Sequence, residues 1–512
     1  MAKTVAQRVQ ELKEVEKRLK QGGGIAEIEK QHSKGKLTAR ERVEKLLDPG
    51  SFQELDLWCS SLETGFPIDA EEHPGDGVIV GYGEVDSRPI FVWSQDATVL
   101  RGTLATVHTR KIVMVMEKAL QARVPIVGMI DSEGVRAEDA VQYARFFSPE
   151  AMCYFQVISS GVIPQIALVM GSCTGEMALS ASLANFVFLV RGTSYMHVAT
   201  SPAGITSEEL GEAWMHAKTT GCYDVFAEDD EDCLQKCREL LSLLPSNSKE
   251  ISPLVDTRDD PNRREEELLD LVPVDSSKPY SMYKLISLIV DNGQFLEIRR
   301  YWARNLIVGF ARLGGRTVGI LANNPQDKAG CMNLDAADKL ARHVRFCDAF
   351  NIPLLWIADT PAFLPAIDEE TRGLIRHGCK VIFANSEATV PQITVAVRKL
   401  YGGGGLAMPG TMLGGDMLVS WPLLERGLMG PEGAVSIIYR KELSSIKEDT
   451  ARVEQEQKRV KEMSDRLDLL QRESSQEFLD PRDTRPFLIK AFKVLANKQQ
   501  ELPPRRHENI RL

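Results

Sequence analysis

The sequence predicts an α/β protein built from two tandem copies of one domain. Three observations lead there. First, short strings return at an offset near ~228 residues, the mark of an internal duplication. Val78-Ile79-Val80-Gly81-Tyr82 recurs as Leu306-Ile307-Val308-Gly309-Phe310, and Arg123-Val124-Pro125-Ile126-Val127 as Asn351-Ile352-Pro353-Leu354-Leu355. Val162-Ile163-Pro164-Gln165-Ile166 recurs as Thr389-Val390-Pro391-Gln392-Ile393. Second, apolar strand-like runs alternate with helical periodicity, which implies parallel pairing covered by helices. Third, a glycine-rich segment follows the last match in both copies, Gly171 to Gly175 and Gly402 to Gly405. One fold that offers bare backbone twice, at the same place, points to a reaction with two halves.

Each element has its own signal. Val5, Val9, Leu12, Val15 and Leu19 follow three-four spacing, an amphipathic helix that Gly22-Gly23-Gly24 ends. Thr38, with Glu41 after it, opens a second short helix through a capping box. From Gly77 to Ser94, β-branched runs broken at Gly81 and Gly83, with a turn at Asp86-Ser87-Arg88-Pro89, read as a strand pair. Thr106 to Ala122 reads as a helix and Val124 to Ile130 as a buried strand ending at Asp131. Another helix and an apolar strand, Val162 to Met170, follow. The first domain is expected over 1–250, a polar Pro-rich linker over 251–280, and the second domain over 281–512. A long helix is expected at about 441–475, where Gly and Pro are absent and Ile446, Val453, Val460 and Leu467 recur every seven residues. It either buries one narrow stripe on its own domain or packs on another subunit.

Bulk properties remove several function classes. At 43% hydrophobic and 26% charged residues the chain falls among globular proteins, not disordered or fibrous ones. A net charge of −10 argues against a nucleic-acid partner. Cys233 and Cys237 are the closest cysteine pair and no C-x-x-C occurs, so no metal site is expected. Free, apolar cysteines fit a reducing cytosol. No apolar run reaches the ~18 residues that span a bilayer, and the start leads into a charged helix, not a signal peptide. A cytoplasmic location is expected.

The glycines suggest the chemistry. A buried strand that ends in Gly171-Ser172-Cys173-Thr174-Gly175-Glu176-Met177 and enters a helix presents first-turn amides without partners inside the helix, at the positive end of its dipole. The N–H groups of Gly175 and Glu176 could hold an oxyanion such as a thioester enolate; a tight packing turn is the other reading. Tyr401-Gly402-Gly403-Gly404-Gly405 makes the same offer, against the reading of a flexible turn. Neither is a P-loop, since no Lys-Ser or Lys-Thr follows. Glu133 and Glu176 read either as a carboxylate pair for acid–base work or as solvated loop acids. His377 reads as a ligand contact or a polar helix residue. Cys173 reads as a site residue or a small apolar filler. Arg110 and Lys111 read as phosphate contacts or helix surface charges.

Several long motifs carry a resemblance. Lys36-Leu37-Thr38-Ala39-Arg40-Glu41-Arg42, Gly75-Asp76-Gly77-Val78, Ser160-Gly161-Val162-Ile163-Pro164-Gln165, the run Val344 to Pro353, Ile375-Arg376-His377-Gly378 and Ser386-Glu387-Ala388-Thr389-Val390-Pro391 closely resemble biotin-dependent acyl-CoA carboxyltransferase subunits. That group holds the propionyl-CoA carboxylase β and methylmalonyl-CoA decarboxylase α subunits. The likeness extends from about Val5 to Ile510. It implies two crotonase-like ββα superhelix domains and a homohexamer, a dimer of trimers, with active sites at a subunit boundary. It implies acyl-CoA on the first domain and biotin, carried on a separate protein, on the second, with biotin carrier and biotin carboxylase subunits as partners. It places the first oxyanion donors on Gly175 and Glu176 and the second pair on Gly403 and Gly404. It places substrate contacts at Glu133, Gly134, Gly171 and Cys173, and biotin contacts at Phe363, Leu364, Pro365, His377 and Tyr401. The implied reaction moves a carboxyl group between biotin and a short acyl-CoA, of propionyl or methylmalonyl type, through a thioester enolate. No side-chain base is required.

This chain departs from the family pattern at identifiable places. Glu176 stands where the family has the second Gly of Gly-Gly, Glu133 where it has the first Gly of Asp-Ser-Gly-Gly, and Arg101 before Gly102 where it has Gly-Gly. Ala362 and Ala366 replace the glycines of Gly-Phe-Leu-Pro-Gly and would narrow the biotin pocket. An ionised Glu176 would repel an enolate, so it points away, is protonated, or does chemistry. Two other functions stay open: a biotin-independent crotonase-type decarboxylase, lyase or hydratase using Glu176, and a non-catalytic subunit of an acyl-CoA complex.

Overall fold

A computed structural model describes residues 3–139, 150–199, 201–410, 413–474, 477–507 and 509–510. The chain divides into two units, Met1–Ile251 and Ser252–Leu512.

In the first unit the strands are β1 (Gln53–Leu55), β2 (Val78–Val85), β3 (Arg88–Gln95), β4 (Ile126–Ser132), β5 (Gln165–Thr174), β6 (Phe186–Val190), β7 (Tyr195–His197) and β8 (Val225–Ala227). They form one sheet in the order β1-β2-β3-β4-β5-β6-β8, with β7 on the far end of β5. β1, β2 and β3 pair antiparallel, and the rest parallel. β4 and β6 are buried along their whole length, as strands covered on both faces must be. The second unit repeats this with β9 (Phe295–Ile298), β10 (Leu306–Leu313), β11 (Arg316–Asn323), β12 (Leu354–Thr360), β13 (Gln392–Tyr401), β14 (Met417–Ser420), β15 (Glu425–Gly427) and β16 (Glu477–Phe478). Its order is β9-β10-β11-β12-β13-β14-β16, with β15 on the far end of β13.

The duplication holds at the level of register. Phe91 faces Ile126 and Ile126 faces Gln165; Gly319 faces Leu354 and Leu354 faces Gln392. Both hairpins turn on two consecutive left-handed residues, Asp86-Ser87 (φ +50° and +62°) and Gly314-Gly315 (φ +58° and +78°). A two-residue hairpin of type I′ requires that geometry because it matches the strand twist.

Four details differ from expectation. An additional helix, Ile25–Ser33, follows the glycine run. The helix Val5–Leu19 forms, capped by Thr4, but buries only Leu19; Val5, Val9 and Leu12 are exposed and Val15 is half-buried. The polar segment expected as a linker belongs to the second unit: Arg263 donates to the carbonyls of Leu288 (2.9 Å) and Val290 (3.1 Å), and Val255 N–H to Gly315 (3.1 Å).

The expected long helix is split. Arg440–Ser445 and Asp449–Ser474 are separate helices, joined through Arg459 and Glu442 (3.0 Å). The longer one packs against the helix Pro431–Ile438 of its own unit. Ser475 lies outside the described residues.

Candidate active site

The parallel strands β4 and β5 end side by side, Ser132 opposite Cys173. In open parallel sheets ligands gather at the carboxyl ends of the strands. Beyond β4 the chain passes Glu133 and turns at Gly134 (φ +93°), whose carbonyl accepts from Leu104 N–H at 2.8 Å. A Cβ on Gly134 would lie 3.1 Å from Thr174 Oγ1, so the turn rests directly on the end of β5. Arg136 anchors it from below, paired to buried Asp76 at 2.6 Å.

Gly175 then takes φ +64° and opens the helix Glu176–Leu183. A Cβ on Gly175 would meet nothing within 4 Å, so glycine is required there by backbone conformation, not by crowding. The Gly175 N–H differs from the sequence expectation: it donates to the His197 carbonyl on β7 at 2.9 Å. The Glu176 amide sits in the first turn, whose N–H groups the helix itself does not use.

The second unit builds the same corner, and its strand register fixes the correspondence. β13 is matched to β5 residue for residue, so Gly402 (φ +48°) stands in the place of Gly175, and Gly403 in the place of Glu176. The equivalent of the first pair is therefore Gly402 and Gly403, one residue before the pair read from the sequence. The glycine run is not a flexible turn but the start of a helix, Gly402–Ala407. The Gly403 and Gly404 amides sit in the first turn of that helix, whose N–H groups the helix itself does not use.

Each glycine of the run is held to its identity by a neighbour. A Cβ on Gly402 would meet the Leu428 carbonyl at 2.7 Å, and one on Gly405 the Leu400 carbonyl carbon at 3.2 Å. Gly404 lies against the Ala362 main chain (3.0 Å) and Gly403 against the Phe363 ring (2.9 Å), measured to the same added atom. A Cβ on Gly378 would also meet the Phe363 ring, at 3.2 Å, so one aromatic ring packs over two bare Cα atoms. Leu364 N–H donates to Met332 at 2.8 Å, and Met332 N–H to Ala362 at 3.0 Å. Those bonds repeat Arg136 to Leu104 and Leu104 to Gly134, which makes Ala362 the counterpart of Gly134. Pro365 is exposed beside them.

Other residues singled out from the sequence have structural duties. A Cβ on Gly171 would collide with the Asp131 carboxylate, so Gly171 makes room for a buried charge and is not itself placed to touch substrate. Asp131 accepts from Arg42 (3.1 Å), Lys36 (2.8 Å) and Gln31 (2.9 Å). Burial works to raise its pKa, but the Arg42 and Lys36 charges hold it below the usual carboxylate range. Cys173 is fully buried and burial pushes its thiol up, which settles it as a filler rather than a contact. Lys111 is buried and donates to the carbonyls of Gly75 (2.9 Å) and Val78 (2.6 Å), so it is not a phosphate ligand. Arg110 is exposed, with Cys59 Sγ at 3.4 Å. His377 is buried against Asp338 (2.8 Å), which Lys380 also holds (2.9 Å). Tyr401 is buried and its hydroxyl donates to Glu425 at 3.2 Å.

The two glutamates have different neighbours. Glu133 pairs with Arg101 at 3.2 Å. Glu176 lies close enough to Cys153 that burial first, and then the Glu176 carboxylate, push that thiol up. Lys36, Arg101, Asp131, Glu133, Ser172 and Tyr195 line a cleft of about 120 Å³ at the same strand ends. Sequence reasoning passed over Lys36 and Tyr195 as site residues; their neighbours in space come from separate strands and helices. Among the described residues no group of three or more His, Cys, Asp or Glu side chains is placed to hold a metal ion, and no helix is long and apolar enough to cross a membrane.

Two α/β units of one topology, each with a left-handed glycine feeding a helix at the end of its fifth strand, define a tandem crotonase-like protein. The carboxyl transferase domain pattern matches residues 30–510. The methylmalonyl-CoA decarboxylase subunit alpha of Veillonella parvula is 42% identical, covering 99% of this chain and 100% of that one. The propionyl-CoA carboxylase carboxyltransferase subunit of Haloferax mediterranei is 40% identical, covering 99% and 100%. The crystal structure of transcarboxylase 12S, a hexamer solved with methylmalonyl-coenzyme A and methylmalonic acid bound, matches with a TM-score of 0.94 at 38% identity over 100% of this chain and 99% of that one. The chain belongs to the carboxyl transferase family.

Proposed function

We propose that this chain moves a carboxyl group between biotin, held on a separate carrier protein, and a short acyl-CoA of propionyl or methylmalonyl type. The observation that carries the reading is the repeated corner: a left-handed glycine, then first-turn amides, at Gly175–Glu176 and again at Gly402–Gly403–Gly404. A thioester enolate concentrates charge on its carbonyl oxygen, and preorganised main-chain donors stabilise it without a side-chain base. Glu176 N–H is the donor this reading assigns to the first unit, with Gly134 and Glu133 beside it. In the second unit the Gly403 and Gly404 amides next to the apolar Phe363 ring suit a polar carbonyl on a hydrophobic bicycle, which is what biotin presents. Bound biotin supplies the carboxyl carrier; the residues here orient it and hold charge. Leu364 and Pro365 extend the Phe363 wall, while His377 and Tyr401 act from behind through Asp338 and Glu425. A hexamer and a biotin-carrier partner follow from the same reading, by likeness to transcarboxylase 12S.

The position of Glu176 favours a second reading, a biotin-independent decarboxylase, lyase or hydratase. It occupies the place of Gly403 and adds a carboxylate side chain in the first helical turn of the first corner. One experiment separates the two. The purified chain is incubated with acyl- and carboxyacyl-CoAs, with and without free biotin, and products are followed by mass. Turnover that requires biotin and survives Glu176→Gln supports carboxyl transfer. Turnover without biotin that Glu176→Gln abolishes replaces it with the second reading.

A further inference from the structure

Two departures from the family pattern, Arg101 and Glu133, are distant in sequence and meet in space. The Arg101 guanidinium lies 3.2 Å from the Glu133 carboxylate, and Glu133 N–H donates to the Arg101 carbonyl at 3.4 Å. Both side chains are largely exposed, at 73% and 51%, and both line the cleft with Lys36, Ser172 and Tyr195. Stability does not explain the pair. An exposed ion pair contributes between zero and about 1 kcal/mol, and Arg101 adopts φ +56°, where a side chain is strained.

The second unit supplies an internal control. Leu100, Arg101 and Gly102 (φ +48°, +56°, +62°) repeat as Lys328, Ala329 and Gly330 (φ +47°, +52°, +73°). The same turn therefore forms with alanine in the place of Arg101. The place of Glu133 is taken by Pro361, the residue before Ala362. Only the unit assigned to the thioester carries the charges. They sit at the strand end that leads to Gly175: Ser172 precedes Gly175 on β5 by three residues, about 10 Å along a strand.

Resting on the reading of the first unit as the thioester site, we infer that Arg101 is a specificity-determining residue that binds a carboxylate on the acyl group, with Glu133 as its placeholder in the empty site. The site thus holds the carboxylated member of the proposed substrate pair, and dicarboxylic acyl-CoAs in general, more tightly than plain alkyl ones. A ligand carboxylate offers Arg101 the same two-oxygen partner that Glu133 does. The exchange costs little because the pair it breaks is solvent-screened. An alkyl thioester offers nothing to exchange and leaves the pair closed.

Calorimetric binding of succinyl-CoA and glutaryl-CoA, against butyryl-CoA and pentanoyl-CoA, tests this on the whole protein. The wild type is expected to bind the dicarboxylic thioesters about 10-fold or more tighter, the range of one charge-assisted contact. Arg101→Ala, which installs the residue the second unit uses, removes that preference and shifts the alkyl thioesters by less than about 2-fold. Glu133→Gln tightens the dicarboxylic pair only. Equal shifts for all four thioesters in Arg101→Ala, or no shift in any, overturn the inference while leaving the thioester site standing. A wild type that binds none of the four overturns both.

Discussion

Lys111 in the first unit and Lys339 in the second are one residue used twice. Each buries its ammonium against the carbonyl of the residue that begins an antiparallel strand, Val78 at 2.6 Å and Leu306 at 2.7 Å. Lys339 also donates to Arg299 (3.1 Å) and Trp302 (3.0 Å). The helix and the hairpin of each unit are thereby pinned together at one polar point within an apolar core.

Lys111→Met and Lys339→Met are each expected to destabilise their unit by roughly 2–4 kcal/mol, because buried carbonyls lose their donor while the stem volume is kept. Urea unfolding followed by tryptophan fluorescence reads the loss. A change under about 0.5 kcal/mol in both would show that the ammonium contributes nothing net.

Arg42 is fully buried between Asp131 (3.1 Å) and Asp230 (2.9 Å) and donates to the Met170 carbonyl (3.0 Å). Arg42→Met takes the cation from buried Asp230 and leaves Asp131 with Lys36 alone, and is expected to cost about 3–5 kcal/mol. Adding Asp230→Asn should recover part of that loss, measured as a double-mutant cycle. Strict additivity would contradict the proposed network.

Acid sensitivity should trace partly to His108 and His343, whose pKa burial pulls down to about 3. His108 is held neutral by its partners: its Nδ1 faces the Asp76 carbonyl (2.8 Å) and its Nε2 faces the Gln95 amide nitrogen (3.2 Å). Since the folded pKa lies below the ordinary 6.5, the unfolded chain takes up the proton first as pH falls. Stability is complete above about pH 6.5 and declines toward pH 3, by about 1.4 kcal/mol per pH unit for each histidine. His343→Gln should flatten the slope of unfolding free energy between pH 6.5 and 5 by one such increment. A slope parallel to wild type would refute the assignment.

The donor role of Gly403 can be separated from its crowding. Gly403→Ala keeps the N–H and displaces the Phe363 ring; Gly403→Pro also deletes the N–H, in the first turn of a helix, where no intrahelical bond is lost. Carboxyl exchange with biotin is expected to fall about 10²–10³-fold further in the proline variant than in the alanine variant, the loss of one oxyanion donor. Equal rates in the two variants would remove Gly403 N–H from the mechanism.

Much of the fold was legible because the strands are local. Thr38 and Glu41 wrote out the capping box that the helix Ala39–Leu46 uses. The recurrent apolar strings fell on β2 and β10 and at the starts of β4, β12, β5 and β13. The helix Ile25–Ser33 escaped because it carries only Ile25, Ala26 and Ile28 as apolar residues, too few for a periodic stripe. At the site, the glycine runs were visible, but the one-residue shift from Gly403–Gly404 to Gly402–Gly403 as the counterpart of Gly175–Glu176 needed the strand register.

The sequence by itself determined that this protein is one domain duplicated, which segments are strands, and where bare backbone interrupts them. Those are properties of periodicity and of residues adjacent in the chain. Only the tertiary structure decided why each glycine is there: Gly171 for the Asp131 carboxylate, Gly404 for the Ala362 main chain, Gly175 for a left-handed turn in open space. It also decided that Arg101 meets Glu133. The space above a Cα, and the partner of a charge, are set by chain segments tens of residues away, and no local pattern records them.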